Sequence, residues 1–312
     1  MLPINAVESM GMIVANLDRS IDFYTTILSF QKVSDRQVSG GEIDKLYGLS
    51  DVKLRVAHIR LGDQLLELTE FITPKGRAIP ADSRSNDLWF QHIAIVVSNM
   101  EPAYQHLQHH RVSQTSPSPQ TLPAWNPVAG GIQAFYFKDP DGHNLELIYF
   151  PAGKGDPKWH NSTAPLFLGI DHTAIVVTNT AISRSFYCDL LGMNLHQESE
   201  NYGSEQEKLS GISNAKVKIS SLKTTAGLGI ELLEYLEPTS GRSIPIDSRL
   251  NDIWSYQTTI TIEDSLSKLQ QLVTNCSPLI STSNILSSST EIGFDRNVLV
   301  KDPDGHTIKL VQ

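Results

Sequence analysis

Glu67, Glu146 and Glu231 each stand among aliphatic neighbours, in Leu65-Leu66-Glu67-Leu68, Asn144-Leu145-Glu146-Leu147 and Gly229-Ile230-Glu231-Leu232. Strand alternation turns such a carboxylate to the face opposite its immediate neighbours. A fourth segment of the same make, Thr307-Ile308-Lys309-Leu310, carries a lysine in that place. Upstream of each, near the start of another apolar segment, stand Ser9, His92, His172 and Gln257 in turn. One glutamate on the wet face of a strand needs no explanation. A carboxylate in three of four equivalent strands, with an imidazole in two of four others, does need one. Neutral imidazole and carboxylate together make a ligand set for one divalent ion, whether Ni, Zn, Co, Mn or Fe(II).

The equivalence comes from a duplication. Asp139-Pro140-Asp141-Gly142-His143 recurs as Asp302-Pro303-Asp304-Gly305-His306, and Ser20-x-x-Phe23-Tyr24 recurs as Ser183-x-x-Phe186-Tyr187, both 163 residues on. The run from Gly76-Arg77 through Asp82-Ser83-Arg84 and Asn86-Asp87 to Trp89 returns from Gly241-Arg242 through Asp247-Ser248-Arg249 and Asn251-Asp252 to Trp254, 165 residues on. Within each half a further rhythm repeats. Apolar strands are expected at 10–15, 93–98, 173–178 and 258–262, each followed by an amphipathic helix, at 17–28, 100–109, 180–191 and 264–274. Asn16 and Asn179 stand at helix N-cap positions. Strand-rich segments then close each unit at 64–71, 144–150, 229–235 and 307–311. The expected fold is α+β, with four βαβββ modules in two tandem domains. The first domain is 1–150 (modules 1–72 and 88–150), the linker 151–166 and the second domain 167–312 (modules 167–236 and 253–312). The Asp-Pro-Asp-Gly segments suit tight turns, and 113–131 and 277–289 read as long loops.

Composition narrows the function. The chain of 312 residues is 40% hydrophobic and 19% charged, with net charge −9 and pI near 5.5. An acidic balance argues against a nucleic-acid partner or an anionic membrane surface, and no apolar run is long enough to span a bilayer. Cys188 and Cys276 give no disulfide framework. The opening Met1-Leu2-Pro3-Ile4-Asn5 has no charged or apolar leader region, so a cytoplasmic protein, monomer or homodimer, acting on a small molecule is expected.

The βαβββ rhythm, the Phe-Tyr after the first strand, the Asp-Pro-Asp-Gly before the last strand and the His and Glu positions resemble the vicinal oxygen chelate superfamily. That superfamily includes glyoxalase I, extradiol dioxygenases and bleomycin-resistance proteins, and the resemblance covers nearly the whole chain. It implies that two modules wrap into one curved sheet and that each gives a His-type and a Glu-type ligand to one metal. Pairing within each half would give Ser9, Glu67, His92 and Glu146 at one site and His172, Glu231, Gln257 and Lys309 at the other, both damaged. Crossed pairing gives one complete set, His92, Glu146, His172 and Glu231, and one poor set, Ser9, Glu67, Gln257 and Lys309. Crossed pairing is the favoured reading, although Glu67, His92 and Glu146 could still hold a metal under the other.

By resemblance the leading activity is a glyoxalase I-like isomerase or lyase, in which the metal stabilises an enediolate and a glutamate moves the proton. Glu146 is the preferred base and Glu231 its symmetric counterpart. The alternatives are an Fe(II) extradiol-type dioxygenase, built on His92, His172 and one glutamate, and a binding protein without catalysis. Other polar residues read as structural. Arg84 and Arg249 could clamp a carboxylate, but their motif persists beside the depleted set, so a loop role is favoured. His143 and His306, kept in both halves, read as turn residues. His58, His106, His109 and His110 read as surface residues, and Lys154 and Lys158 as solvated linker lysines. Trp125 and Asn126 are candidates to cover the site.

Overall fold

The computed structural model describes residues 4–160, 165–239, 241–262, 283–287 and 297–312. Among the described residues, two sheets hold the modules in crossed pairs, each with eight strands in a row and a short ninth beside them, Gln120–Thr121 in one and Ala226–Gly227 in the other. One runs Asn194–Tyr202, Lys216–Lys223, Gly229–Glu237, Phe167–Val176, Gln91–Val97, Asn144–Tyr149, Gln133–Lys138 and Ser113–Gln114, so it joins module two to module three. The other joins module four to module one, in the order Ser283–Ser287, Asn297–Lys301, Thr307–Val311, Tyr256–Ile262, Ile4–Val14, Gln64–Thr73, Lys53–Leu61 and Gln31–Ser39. The first strands of paired modules meet antiparallel at the centre of each sheet: Gln91–Val97 against Phe167–Val176, and Ile4–Val14 against Tyr256–Ile262.

Alternation along these strands divides their side chains. Ile93, Ile95, Leu145 and Leu147 of one sheet and Met10, Met12, Leu66 and Leu68 of the other enter one continuous core with helix residues such as Leu17, Tyr24, Leu107 and Tyr187. His92, Ala94 and Glu146, and likewise Ser9, Gly11 and Glu67, lie on the opposite faces. The expected N-caps form: Asn16 accepts from the Arg19 amide, and Asn179 from those of Ala181 and Ile182.

Several local expectations need correction. The helix expected over 17–28 is an α-helix only at Leu17–Asp22 and continues as a π-helix at Phe23–Ile27; its counterpart divides in the same way at Thr180–Arg184 and Ser185–Leu190. Two short helices, Gly41–Tyr47 and Ser204–Ser210, stand inside the strand-rich parts of modules one and three. Short strands Ser113–Gln114 and Gln120–Thr121 occupy the loop of module two, and Ser283–Ser287 lies within 277–289. The helix expected at 264–274 and Cys276 fall outside the described residues.

The repeated motifs prove to be halves of contacts. The Tyr24 hydroxyl donates to Asp139 at 3.3 Å and that of Tyr187 to Asp302 at 3.0 Å, so the Phe-Tyr and Asp-Pro-Asp-Gly motifs of each half lock together. His143 and His306 continue the lock across the molecule, with Nε2 against the Ile253 carbonyl at 2.9 Å and the Val176 carbonyl at 2.8 Å. Arg77 grips Asp252 and Asp247 of the second copy, at 2.7 and 2.9 Å. Arg242 returns the grip on Asp87 and Asp82, at 2.7 and 3.0 Å. Each guanidinium lies 4.8 Å from a tryptophan ring of the other copy, Trp254 and Trp89. The crossing is too close for a side chain at its glycines: a Cβ on Gly76 would stand 1.8 Å from the Asn251 carbonyl oxygen, and one on Gly241 1.8 Å from that of Asn86. Arg84 and Arg249 belong to this structural loop, each donating its amide to the aspartate three residues on.

Candidate metal centre

The sheet of modules two and three brings His92, Glu146, His172 and Glu231 to one face. Ala94 lies opposite both His172 and Glu146, and Ala174 opposite both His92 and Glu231. Residues directly opposite in neighbouring strands share a face, so the two alanines make a low floor between four converging polar side chains. His92 Nε2 lies 3.1 Å from Glu146 Oε2. His172 Nε2 lies 3.6 Å from the same oxygen and 3.4 Å from Glu231 Oε2. One ligand atom each from His92, Glu146 and His172 falls within 4.8 Å of the others. Glu231 stands at the edge of this group, its side chain 21% exposed against 6% for Glu146.

The two imidazoles are held differently. His172 Nδ1 is 3.0 Å from Asp171, which also accepts from Trp159 Nε1 at 2.9 Å. That contact leaves Nε2 to face the carboxylates. Burial works against charge on His172, but Glu231, Asp171 and Glu146 outweigh it and raise the imidazole to about 9. Burial also opposes the charge on Asp171, yet the His172 hydrogen bond and charge, with Trp159 and Lys223, bring it down to about 2. Glu231 is pushed up, first by burial and then by Glu146 and Asp171, against the pull of the two histidines. At His92, whose side chain is 2% exposed, neither ring nitrogen makes a well-aligned hydrogen bond, and the polar neighbour of Nε2 is the Glu146 carboxylate at 3.1 Å. A buried imidazole without a well-formed hydrogen bond is costly, and a divalent cation among these two imidazoles and two carboxylates would satisfy it. The donor set fits the metal that the sequence implies.

Asp171 escaped the sequence reading because its counterparts are Glu8, Gln91 and Tyr256, so repetition did not mark it. Replacing Asp171 with Asn is expected to weaken metal affinity about 10–100-fold, read by competition with a chromogenic chelator; an unchanged affinity would deny it the orienting role.

A cavity of about 590 Å³ opens over these residues. Leu122 and Pro127–Ala129 form part of its wall. Trp125 and Asn126 do not line it: Trp125 stacks on Tyr202 at 4.4 Å and Asn126 donates to Asn201 at 2.7 Å, so they pin the covering loop from outside. The segment after the first domain is more than a tether. Residues 153–157 line the cavity, and Trp159 holds Asp171. Lys154 is not a free solvated lysine, since it donates to the carbonyls of Pro127 and Val128 at 2.6 and 2.9 Å. Lys158 lies over the Trp159 ring.

The equivalent place in the other sheet is filled from within. Lys309 Nζ stands 3.1 Å from Glu67 Oε2, both side chains being almost fully buried. His58 is not the surface residue expected: its Nε2 is 3.3 Å from Glu67 and its Nδ1 2.9 Å from the Ser34 hydroxyl. His106 is half-buried against the Ile27 carbonyl. Gln257 and Ser9 are buried on the same face. Among the described residues, a second acidic group with ligand-like spacing, Asp139, Asp141 and His143, is the turn lock already described.

The sequence pattern of the Glyoxalase/Bleomycin resistance protein/Dioxygenase superfamily matches residues 5–147 and again 169–310. A 2-epi-5-epi-valiolone epimerase from Actinomyces sp is 31% identical over 156 residues, covering 47% of this chain and 81% of that protein. Glyoxalase I from Zea mays aligns with 100% of this chain and 92% of its own, at TM-score 0.62 and 18% identity. A putative dioxygenase from Bacillus subtilis aligns with 100% of this chain and 86% of its own, at TM-score 0.59 and 11% identity. At such identities the two structures speak for the fold alone. No helix among the described residues is long and apolar enough to cross a membrane.

Proposed function

Because the chain belongs to the Glyoxalase/Bleomycin resistance protein/Dioxygenase superfamily, in which one fold carries several reactions, we propose a metal-dependent isomerase or epimerase of a small substrate bearing neighbouring oxygens. The observation that carries this reading is the convergence of His92, Glu146, His172 and Glu231 on one sheet face, with neither nitrogen of His92 in a well-aligned hydrogen bond. His92, Glu146 and His172 would hold the metal, with Glu231 as a fourth ligand. The metal, when bound, supplies Lewis-acid polarisation of a substrate carbonyl.

The protein's own groups do the rest. Asp171 fixes the ring of His172. A glutamate takes the proton beside the carbonyl and returns it. The family resemblance favours Glu146 for that task. The geometry of this chain favours Glu231, which has room to swing into the cavity, whereas Glu146 is wedged between the two histidines. The epimerase relative, whose name denotes inversion at a stereocentre, supports proton transfer as the reaction type. A second reading, an Fe(II) dioxygenase, is favoured by one observation: the compact group is two histidines and one carboxylate.

Metal analysis of the purified protein tests the site. One equivalent per chain is expected, lost in His92→Ala and in His172→Ala and retained in Gln257→Ala. Retention in both histidine variants would sink the assignment. Oxygen uptake with catechol by the iron-loaded protein would select the second reading.

A further inference from the structure

The charges around the cavity bear on what can enter it. Glu146, Glu231, Asp171, Asp156 and Glu198 all line it, and no arginine does among the described residues. Of the two lysines that line it, Lys154 is spent on the carbonyls of Pro127 and Val128; Lys223 is the other. Away from the metal and His172, a phosphate or carboxylate entering here would meet carboxylates and no guanidinium fork of the kind such groups call for.

The lining instead offers neutral hydrogen-bonding groups, most of them on one side. Gln206 is 4% exposed and its Oε1 has no hydrogen-bond partner. It lines the cavity, so it is an acceptor waiting for a donor. Ser221, also in the lining, lies directly opposite Glu231 in the sheet, and Gln197 lies opposite Ser221. The corresponding place beside Glu146 is taken by Tyr136, with Ala134 and Ile148 next to it. The cavity therefore has a hydroxyl-binding side at Glu231 and a more apolar side at Glu146, where the Tyr136 hydroxyl is a polar group among carbon.

From this we infer that the substrate is an uncharged, hydroxyl-bearing carbonyl compound, its hydroxyls turned to Gln206 and Ser221 and its C–H face laid on Tyr136, Ala134 and Ile148. Phosphorylated metabolites and thiol adducts that carry free carboxylates are rejected by charge. This rests on the reading of the cavity as the substrate site, and it requires no particular metal.

Calorimetric titration with a matched pair of probes, dihydroxyacetone and dihydroxyacetone phosphate, and with the ring ketone 2-keto-myo-inositol, tests the inference. Each is titrated into zinc-loaded and metal-free protein. The two neutral ketones are expected to bind, the ring ketone more tightly, and the phosphate at least about tenfold more weakly than dihydroxyacetone, since a buried charge without a partner is heavily penalised. Gln206→Leu is expected to weaken the ring ketone about tenfold, with metal content unchanged. Ser221→Ala should weaken it in the same direction, and it leaves the helix that carries Gln206 untouched. Phosphate binding as tight as that of dihydroxyacetone overturns the inference. So does ring-ketone affinity unchanged in both variants, or no binding of any probe. Metal content measured on each preparation reports separately on the metal reading, because the preference between probes is also read on metal-free protein.

Discussion

Glu231→Gln is expected to keep its metal and lose turnover by roughly 10²–10⁴-fold, the usual worth of a positioned general base. The substitution preserves shape and one oxygen donor but removes the capacity to accept a proton. The histidines and Glu146, grouped more tightly without Glu231, are left to hold the ion. Glu146→Gln is expected to behave differently. Its carboxylate touches both histidines, at 3.1 and 3.6 Å, so metal affinity should fall together with activity. The measurement is wash-in of solvent deuterium at the carbon beside the carbonyl of dihydroxyacetone, followed by NMR, with metal content determined on the same samples. Exchange at the wild-type rate in Glu231→Gln would return the role of base to Glu146.

The second large effect concerns stability. Lys309→Met leaves the buried Glu67 carboxylate without its ammonium, with His58 still beside it, and is expected to cost about 3–5 kcal/mol, the usual penalty for breaking one side of a buried pair. The double change Glu67→Gln with Lys309→Met removes both charges and should recover most of the loss. Burial alone would push Glu67 up, but Lys309 and His58 overcome it and hold the group down at about 2. Its pKa is thus lower folded than unfolded, so its contribution is present above about pH 4.5 and lost as the pH falls towards 2. The gap between wild type and Lys309→Met should therefore narrow in acid, where protonation relieves the stranded carboxylate. Urea unfolding at neutral pH and near pH 3 measures both points. A gap that widens in acid would contradict the pairing.

The duplication made the candidate ligands legible, because four copies of one strand pair could be compared and the losses were complementary. Crossed pairing followed from which copies had lost a ligand, and the sheet order agrees with it. What stayed hidden was what the repeat does not mark. Asp171 and Trp159 orient a ligand from a position that differs in every copy and from a segment that reads as a tether. His58 looked peripheral because it has no repeated partner, yet it is the neighbour of Glu67. The helix Ser204–Ser210, which carries Gln206, shows no period of its own, although Lys45-Leu46-x-Gly48 recurs as Lys208-Leu209-x-Gly211 and its glycines close both helices with a left-handed turn. Short helices bury too few residues to show a period, so only the repeat could have disclosed them.

The crossed pairing also governs how the polypeptide can acquire its shape. Ala6 finds its sheet partner in Thr261, near the far end of the chain. During synthesis the strand Ile4–Val14 therefore has a bare edge on that side until most of the polypeptide has emerged, and loop closure over such a span is slow. Exposed edges of this kind invite pairing with other chains. A first half expressed alone should accordingly associate with copies of itself or aggregate, and should lose that self-association when the second half is supplied.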